Sequence, residues 1–462
     1  MKNYANKKVI VIGAARQGQA LARFFTKRGA EVVVTDYRSA DQLKDELTVL
    51  NQLKVSLNLG GHDEKILDRA SLVCVSGGVP LTIPFIQEAL LRKIKLSNDS
   101  QIFLEECPCT VVGITGSAGK STTTALTGLM AQKTFEMKSN RQNVWVGGNI
   151  GNPLIDKLDE MAEDDLAIME LSSFQLELMT RAPQIAVVLN ITPNHLDRHG
   201  TMQAYIDAKS RILWYQHIDD VAVLNRDDQG SWDLQPEVKG DLISFGFDQP
   251  ETRSSGTYLE NDSVWLQMGR EKIKLFPLEW SELRGRHNIS NLLAASAIAA
   301  AATLALPGIQ SAVEDFAGVP HRLEIVRTVN EVTWVNDSIA TTPERTIAAI
   351  ESFSEPIVLL LGGRDKNLPW DKLASLIRAK VDRVILFGEA ATLISDKIGP
   401  RKPGQNLKSV VTCKDFAEAL KTAQIQAEPG NIVLLSPGCT SYDAFKDFEE
   451  RGQFFRDWVN QL

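Results

Sequence analysis

The chain has 462 residues, with 50 Lys and Arg against 58 Asp and Glu, a net charge of −8. That acidic balance argues against a general nucleic-acid binder, so any anionic ligand must be met by local cations. The length points to about three domains. Neither a leader-like start nor an apolar run of about 18 residues is present, so no membrane partner is expected.

The five cysteines are scattered, and Cys107-Pro-Cys109 lacks zinc-ligand spacing. A reduced, cytoplasmic chain without a structural metal is the expectation.

In chain order, Lys8–Gly13 reads as a buried strand, Gln17–Arg28 as a helix and Glu31–Asp36 as a second strand. Between them lies Gly13-Ala14-Ala15-Arg16-Gln17-Gly18, a degenerate G-x-G-x-x-G with Ala15 at the second glycine. Asp36 follows about 20 residues on, where a carboxylate can meet a ribose hydroxyl. A nucleotide-type ligand and a plain structural turn both fit this motif. A third strand, Leu72–Val75, ends at Ser76-Gly77-Gly78, again at the ligand-binding edge of such a sheet.

The most specific signal is Val111–Thr124. A β-branched strand enters Gly113, Gly116 and Gly119, and Lys120-Ser121 then opens a helix. Backbone N–H groups and a helix N-terminus converge there, which suits phosphate. Lys120 adds a point charge and Ser121 a hydroxyl for Mg²⁺, with ATP as the nucleotide. The first glycine of the common pattern falls on Ile114, so this is a variant P-loop.

Two further strands follow, Leu166–Glu170 and Ile185–Asn190. Glu170 closes the first, and His195 stands just beyond the second. Carboxylate, imidazole and phosphate oxygens suit Mg²⁺ or Mn²⁺ with several retained waters, although a capping glutamate or a structural histidine would occupy similar places. Trp232–Trp280 is polar and strand-like, with no chemistry attached.

Asn288 and Asn291 share a helix face at i, i+3, where they can bind a base or ribose or simply cap the helix. The alanine-rich Leu292–Ala305 reads as a buried helix. A third region begins near Gly318, with strands at Val332–Val335, Ile357–Leu361, Val384–Phe387 and Ile432–Leu435. Arg322, in Pro320–Glu324, is a candidate clamp for a γ-phosphate.

These motifs, together with Glu170-Leu-Ser-Ser-Phe-Gln-Leu176, Asn190–His199, Gly285–Asn291, Pro320–Glu324 and Asn336–Thr341, resemble those of the Mur ligases, in order along nearly the whole chain. The Glu170–Leu176 and Ser436–Gly452 segments resemble the D-glutamate-adding branch, and the D-N-P-R motif of the diamino-acid-adding branch is absent. The resemblance implies an α/β chain of three domains. These are an N-terminal Rossmann-like domain (1–96), a central P-loop ATPase-type domain (97–317) and a C-terminal Rossmann-like domain (318–462). It also implies a cytoplasmic monomer that joins D-glutamate to UDP-N-acetylmuramoyl-L-alanine through an acyl phosphate, using ATP and two Mg²⁺.

Residue by residue, it assigns ATP to Gly116, Ser117, Ala118, Gly119, Lys120, Ser121, Thr122, Asn288, Asn291, Arg322 and Asp337. Mg²⁺ falls to Ser121, Glu170, His195 and Lys209, the last matching a lysine carbamylated in this family. The uridine precursor falls to Arg16, Asp36, Tyr37, Arg38, Ser76, Gly77 and Gly78, with Asn149 and Ser172 nearer the muramoyl group. D-Glutamate falls to Thr341, Lys366, Ser441 and Phe448. Lys120, Glu170, His195, Lys209 and Arg322 form the catalytic set.

Three departures from the family pattern carry expectations. Gly77 stands where the family has proline, so that loop should be more mobile. Ala15 should alter the diphosphate contacts. Ile339 stands where many relatives have lysine, so another cation or a different Mg²⁺ geometry must compensate. A folylpolyglutamate-synthase-like ligase would not need Asp36 and Arg38, a non-catalytic relative would be expected to lose Lys120, Glu170 or His195, and a dinucleotide oxidoreductase has no use for a P-loop.

Overall fold

Short β-branched and leucine runs that are apolar on both faces favour parallel sheets covered by helices, and this pattern governs the computed structural model. It describes residues 3–138, 141–149, 153–366, 368–401 and 404–462. Among the described residues the strands form three sheets.

The first sheet contains β1 (Lys8–Ile12), β2 (Glu31–Asp36), β3 (Val55–Leu59), β4 (Ala70–Val75) and β5 (Lys95–Ser97). Their order is β3-β2-β1-β4-β5, all parallel. Order reverses between β1 and β4, so the Gly13 and Ser76 loops leave the sheet side by side at the crevice where such folds bind ligands. The helix Arg16–Lys27 turns back at once because Gly18 packs against the Gly13 carbonyl, where a Cβ would collide. Ala15 has φ −74°, so its backbone has no need of glycine.

The second sheet holds β6 (Thr110–Thr115), β7 (Val144–Gly148), β8 (Leu166–Glu170), β9 (Ile185–Val188), β10 (Val221–Asn225), β11 (Asp241–Phe245), β12 (Ser255–Glu260), β13 (Ser263–Met268) and β14 (Glu271–Pro277). Its order is β14-β13-β12-β11-β10-β9-β6-β8-β7, parallel except for the antiparallel β12–β13–β14 end. That meander accounts for the polar, strand-like stretch after Trp232. The alanine-rich segment is a buried helix, Arg286–Ala301, whose Leu293 carbonyl accepts from Thr257 Oγ1 at 2.7 Å. The helix Lys120–Met137 packs on a second helix, Leu306–Asp315.

These two sheets belong to one compact unit, which runs to Ser281 and resumes over His287–Phe316. Its seam includes a bidentate Arg23–Asp156 pair at 3.0 and 2.6 Å and an Arg28–Asp159 pair at 2.9 Å. No helix of the described residues is long and apolar enough to cross a membrane.

The second unit comprises Glu282–Arg286 and Ala317–Leu462. Its sheet contains β15 (Glu324–Val329), β16 (Val332–Asn336), β17 (Ile357–Gly362), β18 (Val381–Phe387), β19 (Ser409–Thr412) and β20 (Ile432–Gly438), in the order β15-β16-β20-β17-β18-β19. Alternation along β17 divides the core. Ile357, Leu359 and Leu361 face the helices Pro343–Glu351, Asp371–Lys380 and Ala391–Ile398, whereas Val358 and Leu360 face Phe416–Gln426 and Phe448–Asn460.

Candidate active site

The variant P-loop joins β6 to the helix Lys120–Met137. Gly119 adopts φ 82° with the Asn291 side chain pressed against its Cα, so a Cβ has no room on two counts. Asn190, just beyond β9, clamps the turn. Its carbonyl accepts from Ser117 N at 2.9 Å, its Oδ1 from Ala118 N at 2.8 Å, and its Nδ2 donates to Ala118 O at 3.1 Å. The Ser117 and Ala118 N–H groups are therefore engaged by protein in this arrangement, unlike the phosphate cradle expected of them. Lys120 Nζ folds back to donate to Gly116 O at 2.7 Å. Ser121 and Thr122 are buried in the first helical turn.

Glu170 ends β8, in register with Ile114 of the neighbouring β6. It is 2 % exposed, and Asn149 Nδ2 donates to its Oε1 at 2.9 Å. Its Oε2 is buried and accepts no hydrogen bond among the described residues. A buried carboxylate oxygen left so costs on the order of several kcal/mol, which a hard cation would offset. Glu170 and the buried Ser121 hydroxyl thus fit the oxygen preference of Mg²⁺. No group of three His, Cys, Asp or Glu side chains could hold a metal among the described residues, so phosphate and water would have to complete any coordination.

Lys209, on the helix Met202–Trp214, is 1 % exposed and donates to Thr115 Oγ1 at 3.2 Å and Gly116 O at 3.0 Å. Burial, then the neighbouring Lys120 charge, push its ammonium well below the ordinary lysine range, while Glu170 pulls the other way. A lysine so placed is biased toward the free amine. His195 is exposed, at φ 54°, with its ring edge-on to Phe174 at 5.2 Å. Phe174 also stacks on His199, which bonds Ser173 Oγ and Glu177 at 2.9 Å each, so the loops after β8 and β9 are packed together.

Asn288 and Asn291 are not helix caps. Asn291 Nδ2 donates to Asn288 Oδ1 at 3.1 Å, and Asn291 Oδ1 accepts from Thr123 Oγ1 at 3.4 Å, which brings the pair to the P-loop helix.

At the first sheet, Asp36 is buried and accepts from Ala14 N at 2.9 Å and from Arg38 N, Nε and Nη2 at 3.0, 3.0 and 2.9 Å. Burial acts to raise its pKa, but Arg38 and the Ala14 amide hold it below the usual range. Asp36 therefore aims Arg38 and is not the open ribose acceptor expected from its position. Tyr37, the next residue, is exposed, as is Arg16 at the start of the first helix. Ser172 caps the short helix after β8 in a reciprocal box with Gln175, and Ser76 Oγ is buried against Gly13 without a partner among the described residues.

In the second unit, Arg322 lies between two left-handed residues, His321 at φ 63° and Leu323 at φ 45°. Asp337 is buried and accepts from Ser436 Oγ at 2.8 Å and Leu323 N at 3.2 Å. Burial pushes its carboxyl up to about 7, against the Ser436 hydrogen bond and the Arg322 charge. Lys366 Nζ reaches Thr341 Oγ1 at 3.4 Å, and burial, then Arg345, lower its pKa. Arg345 Nη1 donates to Ile339 O at 3.0 Å and so brings a positive charge to the position lacking lysine.

Ser441 is buried, in a loop joined to the Lys366 loop by reciprocal Arg364–Thr440 backbone bonds of 2.9 and 3.1 Å. Phe448 opens the last helix, and its carbonyl accepts from Ser338 Oγ at 2.8 Å. Sequence reasoning passed over Arg451. It is fully buried and donates to Ser338 Oγ and to the Ser338 and Cys439 carbonyls at 3.0, 2.9 and 3.2 Å. A lone arginine sharing a helix face with Phe455 and Val459 was the available signal.

Three family descriptions match successive parts of the chain: Mur ligase MurD-like N-terminal domain over residues 7–97, Mur ligase middle domain over 114–299, and Mur ligase glutamate ligase domain over 321–439. A UDP-N-acetylmuramoylalanine--D-glutamate ligase of Symbiobacterium thermophilum is 38% identical over 458 residues, 99% of this chain and 98% of that protein. The ligase of the same name from Clostridioides difficile is 37% identical over 468 residues, covering 99% of each. Among solved structures, the UDP-N-acetylmuramate-alanine ligase MurC of Thermotoga maritima shares the fold at TM-score 0.58 and 18% identity, over 98% of this chain and 99% of that one. MurF ligase of Thermotoga maritima in complex with ADP does so at TM-score 0.55 and 18% identity, over 99% and 96%. With all three domains matched in order and curated relatives aligned along its whole length, the chain belongs to the Mur ligase family.

Proposed function

We propose that this protein is an ATP-dependent amide ligase that joins D-glutamate to UDP-N-acetylmuramoyl-L-alanine, the reaction for which its full-length relatives are named. The observation behind this reading is the buried Lys209, whose Nζ meets Gly116 O of the P-loop at 3.0 Å, together with the buried Glu170 at the end of the neighbouring strand. On this reading the protein works as a cytoplasmic monomer in peptidoglycan precursor synthesis. Its domains are 1–96 for the uridine precursor, 97–317 for ATP and 318–462 for the amino acid.

A carboxylate is a poor acyl donor. An oxygen of the precursor's carboxylate attacks the γ-phosphorus, the bond to the β-phosphate oxygen breaks, and ADP leaves an acyl phosphate. The D-glutamate amine then attacks the acyl carbon, loses a proton and expels phosphate. Lys120 and Arg322 offset charge on the phosphoryl group, and Asn288, Asn291 and Asp337 hold the nucleotide. Ser121, Glu170, His195 and a carbamylated Lys209 would hold Mg²⁺, which supplies charge neutralisation when bound. Arg345 replaces the charge missing at Ile339. Arg16, Tyr37, Arg38 and the Ser76–Gly78 loop meet the uridine nucleotide, with Asn149 and Ser172 toward the muramoyl group.

Phosphate release measured with single candidate amino acids tests the assignment. D-Glutamate should support turnover and L-glutamate should not, because with the L-enantiomer one carboxylate loses its partner, a penalty of several kcal/mol. Comparable turnover with L-glutamate, L-alanine or a diamino acid overturns the acceptor while leaving the ligase class. Thr341, Lys366, Ser441 and Phe448 form the proposed acceptor pocket. Lys366→Ala should raise the D-glutamate KM at least about tenfold, roughly 1.4 kcal/mol, with the ATP KM little changed. A parallel rise in both would remove Lys366 from the pocket.

A further inference from the structure

The loop after β4 is a turn, closed by a 2.9 Å bond from Val79 N to Ser76 O, with Gly77 and Gly78 at its centre. Neither glycine has positive φ, which fits a type I turn with Gly77 at its second position. Two adjacent glycines make such a turn entropically costly to order. The structure opposes this with a side chain from another element: Gln17 Oε1, at the start of the Arg16–Lys27 helix, accepts from Gly77 N at 3.0 Å.

The other end of that amide is fixed as well. Gln17 Nε2 donates at 3.4 Å to Oδ2 of Asp99, a residue 3 % exposed in the first turn of the helix Asp99–Glu106. A carboxylate can only accept, so it dictates which end of a neighbouring amide faces it. Asp99 thus turns the Gln17 oxygen toward the Ser76–Gly78 turn. The neighbouring Gln175 amide is fixed separately: the Ser172 N–H, which can only donate, meets its Oε1 at 3.0 Å, and its Nε2 donates to Ser100 Oγ at 2.8 Å. Turning the Gln17 amide over would set its NH₂ against the Gly77 N–H, donor against donor.

We propose that Gln17 and Asp99 are positioning residues for the nucleotide-side turn: Asp99 fixes the sense of the Gln17 amide, and Gln17 pins the Gly77 N–H. The assignment of that turn to the uridine nucleotide rests on the function proposed above, whereas the pinning itself does not.

Three variants test it: Gln17→Met, Gln17→Glu and the double variant Gln17→Glu/Asp99→Asn. Methionine keeps the length of the side chain and removes both amide groups, whereas glutamate keeps an acceptor for Gly77 N but sets it against the Asp99 carboxylate, and asparagine at 99 then supplies the donor it lacks. In the ligand-free full chain, amide exchange at Val79 should quicken about tenfold in Gln17→Met and in Gln17→Glu, and return toward the parent rate in the double variant. The precursor KM should rise about fivefold in the two single variants and recover in the double, with kcat and the ATP KM within about twofold of the parent. Unchanged Val79 exchange in both single variants, or no recovery in the double, overturns the proposal. Quickened exchange with an unchanged precursor KM upholds the pinning and overturns the reading of the turn as the nucleotide site.

Discussion

Lys120→Ala should lose roughly 10³-fold or more in turnover, because cationic clamps on a transferring phosphoryl group are worth several kcal/mol. On the proposed function, this lysine is the cation of the glycine turn that would follow charge from the β- to the γ-phosphate. Its ammonium now rests on the Gly116 carbonyl at 2.7 Å, a bond that phosphate oxygens would replace. Removing a half-buried lysine from a helix start costs little in folding, so circular dichroism and thermal unfolding should stay near the parent. Near-normal phosphate release from the folded variant would refute the P-loop assignment.

Lys209→Ala should be almost inactive and partly rescued by short carboxylic acids. The amine is buried against Thr115 and Gly116 near the Lys120 charge, which lowers its pKa and favours the free amine that CO₂ addition needs. A carbamate formed there would exchange a cation that repels Mg²⁺ for the oxygen ligands hard cations prefer. Depleting dissolved CO₂ should accordingly lower parent activity and leave the rescued variant unaffected. Rescue also separates the carbamate role from simple loss of the Lys209 hydrogen bonds, which acetate or formate would not restore. A fully active Lys209→Ala removes the carbamate from the mechanism.

The central strands and the P-loop were legible because buried parallel strands are uniformly apolar and because glycines, lysine and serine at that spacing have few other uses. Strands β3, β5, β7, β10, β15 and β19 went unread. All but β10 lie at a sheet edge, where one flank is solvated and the apolar signal is weaker; β10, central and apolar, carried the signal and was passed over. Asp36 stood where a ribose acceptor belongs, but sequence position does not report that Arg38, two residues on, would bond both its oxygens. Asn190 and Asp99 were illegible for a related reason. Their partners, Ala118 and Gln17, are 72 and 82 residues away, and only the sheet order brings them together.

The topology of the second unit bears on how the chain is made. Strand β20, the last to leave the ribosome, lies in the middle of its sheet, between β16 and β17. Until Ile432–Gly438 emerge, the β15–β16 ribbon and the β17–β18–β19 block each present an open edge and have nothing to join them. This unit cannot complete its sheet progressively as it is synthesised; it must wait for the last of its six strands. Its nascent form is exposed to edge-to-edge aggregation that the earlier unit, complete long before, escapes.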